Sequence, residues 1–255
     1  MHNIAEGTKI DIANYPQTGV TSSTGLYFPM TKYAKALFSA QIAGQTTGQS
    51  LTFAVYESTD HIGTSTSQLG ATITMAQGIK VSLASVLAAS VQVGDTLILT
   101  PYTFVDGVLS AGTAITYTAA AAENLSAREF NQASTDAACA TSLAACINDA
   151  TYGVPGLYAT VSSATVTIEM DVQGEGAFDI TELAAAAARL VVTDLAQQAT
   201  FEVAVQDLDR DNDYCYVQAR LASIDAGTEH CVTLLRAMPS YAPVGLVSAY
   251  YDDAK

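Results

Sequence analysis

Between Lys35 and Asp60 apolar and polar residues alternate with a period of two, which suits a half-buried strand and not an amphipathic helix. Phe38, Ala40 and Ile42 alternate with Ser39 and Gln41. Further on, Leu51, Phe53 and Val55 alternate with Thr52, Ala54 and Tyr56. Each segment thus carries one apolar row for a buried face. Between them, Gly44-Gln45-Thr46-Thr47-Gly48 has the glycines and small polar residues of a hairpin loop. A lone hairpin is marginal in water, so the rest of the chain must supply strands to cover its apolar row.

Residues 1–25 hold few apolar anchors and are expected to form an extended arm that orders against a neighbour or not at all. Ala71 to Met75 alternates as a third strand, and Gly78 to Ser90 fits either a strand or a short helix. A second texture begins near Val93. Strands are expected at Thr96 to Leu99, continuing past Pro101 through Tyr102 to Val105, and at Ala114 to Thr118. Ser134-Thr135-Asp136 offers N-cap oxygens to a helix running to about Asn148, with Ala140, Leu143, Ala144 and Ile147 on its apolar side. Leu157 to Val161 and Thr165 to Met170 form two more strands around Ser162-Ser163-Ala164, and Gly174 and Gly176 close the unit. Thr181-Glu182 caps an Ala-rich connector helix from Leu183 to about Leu190. Strand character resumes at Phe201, and Tyr214 to Ala222 is expected to pair with His230 to Met238 across Ser223 to Thr228.

The fold class expected from this pattern is mainly β: an antiparallel β-sandwich with an inserted small α+β (β-β-α-β-β) module. The sandwich would comprise residues 26–92 plus 194–245, and the module with its connector helix residues 93–193. The arm (1–25) and a C-terminal tail (246–255) would flank them.

Charge narrows the function classes. With 25 acidic against 10 basic residues the chain carries −15, a field that repels phosphate and argues against a nucleic-acid surface. Half of the residues are apolar, enough for a real core, although much of that fraction is Ala. The N-terminal stretch has neither a basic start nor an apolar run, so no secretory signal is expected. No apolar run approaches the ~18 residues of a membrane span. The expectation is a soluble protein made in the cytoplasm.

Reactive chemistry is sparse. His2, His61 and His230 stand beside no nucleophile or metal pattern, no phosphate-binding glycine loop occurs, and no catalytic residue or cofactor is assigned. Asp207, Asp209, Asp211 and Asp213 alternate as ligands of a hard cation would. Against a calcium loop, Asn212 stands where glycine is needed and Gln218 where a bidentate acid is needed, so a solvated turn is the plainer reading. Cys139 and Cys146 share a helix face but lie ~10 Å apart along it, beyond the ~7 Å reach of a disulfide. Cys215 and Cys231 fall in the last two strands, where the expected turn sets them opposite Met238 and Ala222 and not each other. The four are either buried thiols or partners in bridges, including bridges between chains after release from the cell. Tyrosines gather at loops and strand ends (Tyr27, Tyr33, Tyr56, Tyr214, Tyr216, Tyr241, Tyr250, Tyr251), a use common to protein interfaces and sandwich rims.

Two stretches carry a resemblance. FSAQIAGQTTGQSLTFAVYESTD resembles the opening hairpin of small tailed-bacteriophage virion structural proteins. FEVAVQDLDRDNDYCYVQARLASIDAG with CVTLLRAMPSYAPV is similar to their closing strands, including the acidic turn and the terminal Ser240-Tyr241-Ala242-Pro243. The middle, from GDTLIL and YTF through ASTDAACATSLAACIND to GLYATVSSATVTIEM, is similar to a module of phage structural proteins. The resemblance implies a capsid decoration or cement protein on the virion exterior. Its partners would be the major capsid protein and neighbouring copies, with no nucleic acid and no membrane. A tail or head–tail connector component, and a carbohydrate- or host-surface-binding module, are the alternatives; an enzyme is not expected.

Overall fold

The apolar rows around Gly44–Gly48 are buried as their alternation predicts, yet the two strands that carry them do not pair with each other. The structure, a computed structural model, describes residues 8–46, 48–105, 108–132, 135–172, 176–183 and 189–239. In chain order the strands are β1 (Thr8–Gln17), β2 (Ser22–Thr24), β3 (Phe28–Pro29), β4 (Tyr33–Ala43), β5 (Gln45–Thr46), β6 (Ser50–Ser58) and β7 (Thr66–Ala76). Next come β8 (Val81–Ala88), β9 (Thr96–Val105), β10 (Val108–Ala111), β11 (Ile115–Ala120) and β12 (Glu129–Asn131). The helix α1 (Asp136–Ile147) precedes β13 (Leu157–Ser162), β14 (Thr165–Met170), β15 (Gly176–Leu183), β16 (Leu190–Ala204), β17 (Tyr216–Ala222) and β18 (Glu229–Pro239). The protein is mainly β, with largely antiparallel sheets.

The chain divides into two compact units. The first comprises residues 1–41, 51–75 and 199–255. One of its sheets is ordered β1-β18-β4-β16, the other β2-β17-β6-β7 with β3 also on β17. Phe53 of β6 meets Phe201 of β16 edge to face at 6.5 Å, joining the two sheets across the core of a sandwich. The supposed hairpin is therefore a crossover: β4 pairs within one sheet and β6 within the other. The same correction applies to the closing pair, for β17 and β18 also lie in different sheets. Alternation sets which side chains turn inward, and a hairpin or a crossover buries the same row.

Residues 8–17 and 22–24 do not form a separate arm. β1 runs antiparallel to β18 from Thr8↔Ala237 to Gln17↔His230, with irregularities after Ile12 and Asn14, and β2 pairs with β17. What anchors this segment is the backbone ladder and buried Ala13, Asn14 and Ser23, so a search for apolar side chains overlooks it.

The second unit comprises residues 42–50 and 76–198. Its boundaries correct the expected 93–193 module: β8 belongs here, with Val81, Ala84, Val86 and Ala88 buried among side chains of β9, β11, β14 and α1. β8 pairs with β14 and β16 and touches β15 at Val81, so strands from before and after the expected module complete its sheet. Gly176 opens β15 instead of ending the unit. Of the expected connector helix, Thr181 to Leu183 end β15 and Leu190 begins β16, while its body, residues 184–188, lies outside the described residues. Helix α1 forms where its pattern places it. The Thr135 hydroxyl accepts from the Ala138 N–H, and Leu143 and Ile147 are fully buried.

Candidate functional site

Where an inward row of the first unit runs to its end, ionisable side chains take the apolar positions. His230 and Arg236 continue the buried row of Val232 and Leu234, and Glu57 continues that of Leu51, Phe53 and Val55. A charge there needs partners, because burial without them is costly. The Glu57 carboxylate accepts from the Asp209 N–H at 2.9 Å, and burial is the main cause raising its pKa. Arg236 donates to Asp11 through Nε at 3.1 Å and through Nη2, and to the Pro29 carbonyl through Nη1 at 2.8 Å. Its guanidinium also lies over the rings of Tyr33 and Phe28, at 4.6 and 5.4 Å.

This arginine forms one wall of a cleft of about 400 Å³ in the first unit. Phe28, Pro29 and Tyr33 give it apolar surface, and Lys9, Lys32 and Asp11 complete its charge. Three of the chain's ten basic residues meet a single carboxylate here, so the cleft is cationic on a strongly acidic protein. Lys9 and Asp11 come from β1, which ends its sheet. Ile10 and Ile12 of the same strand are 70% and 49% exposed. An apolar stripe and a cationic hollow thus sit on one sheet edge, an arrangement suited to holding another polypeptide.

In the second unit, Asp194 follows Leu190 and Val192 on the inward row of β16 and is fully buried. Its carboxylate accepts the Gly78 N–H at 2.9 and 3.1 Å, and its backbone carbonyl accepts the Gly44 N–H at 2.6 Å. Burial pushes its pKa up to about 7, against the lowering effect of the Gly78 bond and the nearby Gln77 side chain. Gln197 donates to the carbonyls of Ala76 and Ile79, which flank Gly78. These contacts fasten the 76–79 turn to β16, a structural task.

The residues singled out from sequence do not assemble into a reactive centre. Asp207 to Asp213 fold into two short 3-10 turns, Val205–Asp207 and Arg210–Asn212. There Asp207 accepts the Ala204 N–H and Asp209 accepts from the Asn212 side chain, so both carboxylates serve the turn itself. Among the described residues, no three His, Cys, Asp or Glu are placed to hold a metal ion. Cys139, Cys146, Cys215 and Cys231 are free thiols. Burial pushes both Cys139 and Cys146 up to about 11 and also raises Cys215 and Cys231. His61 lies in the β6–β7 loop, while His230 is buried with its pKa lowered, chiefly by that burial. Tyr56 stacks on the Arg220 guanidinium at 3.9 Å, and Tyr27 accepts a hydrogen bond from it. His2, Tyr241, Tyr250 and Tyr251 lie outside the described residues.

No family model matches this chain. No curated protein matches it either. Among solved structures, one titled "Structure of infectious bursal disease virus Gt strain" aligns over 97% of this chain and 88% of that one at 8% identity, with a TM-score of 0.16. So low a score carries no argument about fold or function. Among the described residues no helix is long and apolar enough to cross a membrane.

Arg236, Glu57 and Asp194 belong to no sequence motif. Their signal was parity: each falls on an inward position of an alternating row, where a charge needs a dedicated partner.

Proposed function

We propose that this protein is a virion structural protein of a tailed bacteriophage, one that decorates the capsid shell and binds the major capsid protein. The observation that carries the reading is apolar exposure along strand edges and ends. Ile10, Ile12 and Tyr15 project from β1, Tyr158 and Val161 from β13, and Phe104 and Val105 from the end of β9. Apolar side chains on such edges invite association with other chains, and the resemblance of the opening and closing strands to phage virion proteins supplies the setting. The charge of −15 suits an outward-facing component, since an inner surface would face packaged DNA.

The test is direct. Purified protein mixed with expanded, undecorated capsids should co-sediment to saturation and raise their resistance to heat. On a stained gel of intact particles its copy number should approach that of the major capsid protein. Failure to bind capsids, or a copy number typical of a tail or connector part, overturns the decoration reading.

A further inference from the structure

We propose that the outer edge of β1 and the cationic cleft beside it form a docking site for an extended acidic segment of a partner protein, which adds to the sheet as a further strand. The inference concerns the partner's chemistry and stands whether or not a capsid supplies it. Among the described residues β1 pairs with β18 alone, so alternate backbone N–H and C=O groups face away from the sheet. Beyond Ile12 the chain closes this edge itself, the Ala13 carbonyl accepting the Leu26 N–H at 3.3 Å. Among the described residues that leaves Lys9 to Ile12 as the open stretch.

The two faces of this stretch differ. Lys9 and Asp11 are cleft residues, with Phe28, Pro29, Tyr33, Lys32 and Arg236. Ile10 and Ile12 point to the other face, where Ile10 stands opposite Leu235 and Ile12 opposite Thr233. An added strand must alternate likewise. Its residues on the cleft side meet Lys32 together with Lys9 and Arg236, which share the single carboxylate of Asp11, so acidic side chains fit there. Those on the other side extend the isoleucine stripe, so β-branched apolar residues fit there. The occupant is therefore an extended segment of alternating acidic and apolar residues, bound by main-chain ladder and side-chain charge together.

A second copy of this chain is a poorer occupant. Pairing β1 with its own twin would bring together two clefts that each hold three cations against one acid, on proteins that each carry −15 overall.

The test uses the full chain and labelled peptides of alternating Glu and Val. Controls are a Lys/Val peptide of equal length and a Glu/Val peptide N-methylated at every residue, which has no N–H to donate to the ladder. Saturable binding of the Glu/Val peptide is expected, weakening with salt, with both controls at least about tenfold weaker. Hydrogen exchange should show new protection at Lys9 to Ile12 on binding. The double variant Lys9→Gln/Lys32→Gln should lower affinity about tenfold with little change in Tm, because Lys9 pairs with Asp11 from a half-exposed position and such pairs add little to stability. Equal binding of the Lys/Val peptide, no binding by any peptide, or edge protection that instead rises with protein concentration as a dimer forms would each overturn the proposal.

Discussion

Replacing Asp194 by Asn should make the protein more stable, and only on the alkaline side. The carboxylate is fully buried in the second unit and faces the Gly78 N–H and the Gln77 side chain. Its pKa rises from an ordinary 3.8 to about 7, mainly because burial disfavours the charge. Between about pH 4 and 7 the folded state keeps a proton that the unfolded chain has released. Stability from this site is therefore greatest below pH 4, falls as pH rises through the interval, and reaches its floor above pH 7. About three pKa units at ~1.4 kcal/mol each give roughly 4 kcal/mol between those limits. Asparagine stays neutral throughout, and its amide oxygen still accepts the Gly78 N–H. Urea denaturation of both proteins from about pH 4 to 8 isolates the effect in their difference, because other titrating groups cancel. The two should be near parity at pH 4, with the variant ahead by up to about 4 kcal/mol at pH 8. A difference that stays flat with pH, or that grows toward acid, would refute the claim that a buried, mostly protonated carboxyl sits here.

Further expectations follow from single contacts. His230→Gln should show the opposite trend: the lowered pKa of His230 gives stability above the unfolded value of 6.5, so wild type should lose ground as pH falls below it, visible in the same denaturation series. Arg236→Ala should destabilise by about 3–5 kcal/mol because it leaves Asp11 only the half-exposed Lys9 and strands the Pro29 carbonyl, whereas a loss under about 1 kcal/mol in urea titrations would contradict the pairing. Gly78→Ala should unfold the protein at ordinary temperature or lower its Tm sharply, since φ is +74° and the added Cβ would lie 2.2 Å from the Ile180 carbonyl oxygen. With a thiol reagent, Cys139 and Cys146 should react far more slowly in folded protein than Cys215 and Cys231, all four equalising in denaturant; rapid native labelling of all four would contradict their burial.

Much of the fold was legible in the residues alone. The buried rows of β4 and β6, the strand past Pro101, the β13–β14 hairpin and helix α1 with its Thr135 cap all follow from short-range periodicity and turn chemistry. These signals act over a few residues, so a linear reading captures them. Partner choice does not act over a few residues. That β4 and β6 enter different sheets, that β17 and β18 do likewise, and that Thr8–Gln17 lies along β18 depend on backbone ladders between segments far apart in the chain. Whether the 207–213 acids meet a cation or only their own turn depended in the same way on where the backbone led them. The sequence alone determined which side chains face inward, because alternation is a property of one strand. Only the tertiary structure decided which strands are neighbours, and with that where Lys9, Asp11, Phe28 and Arg236 come together, because a hydrogen-bond ladder carries no imprint in the composition of either strand.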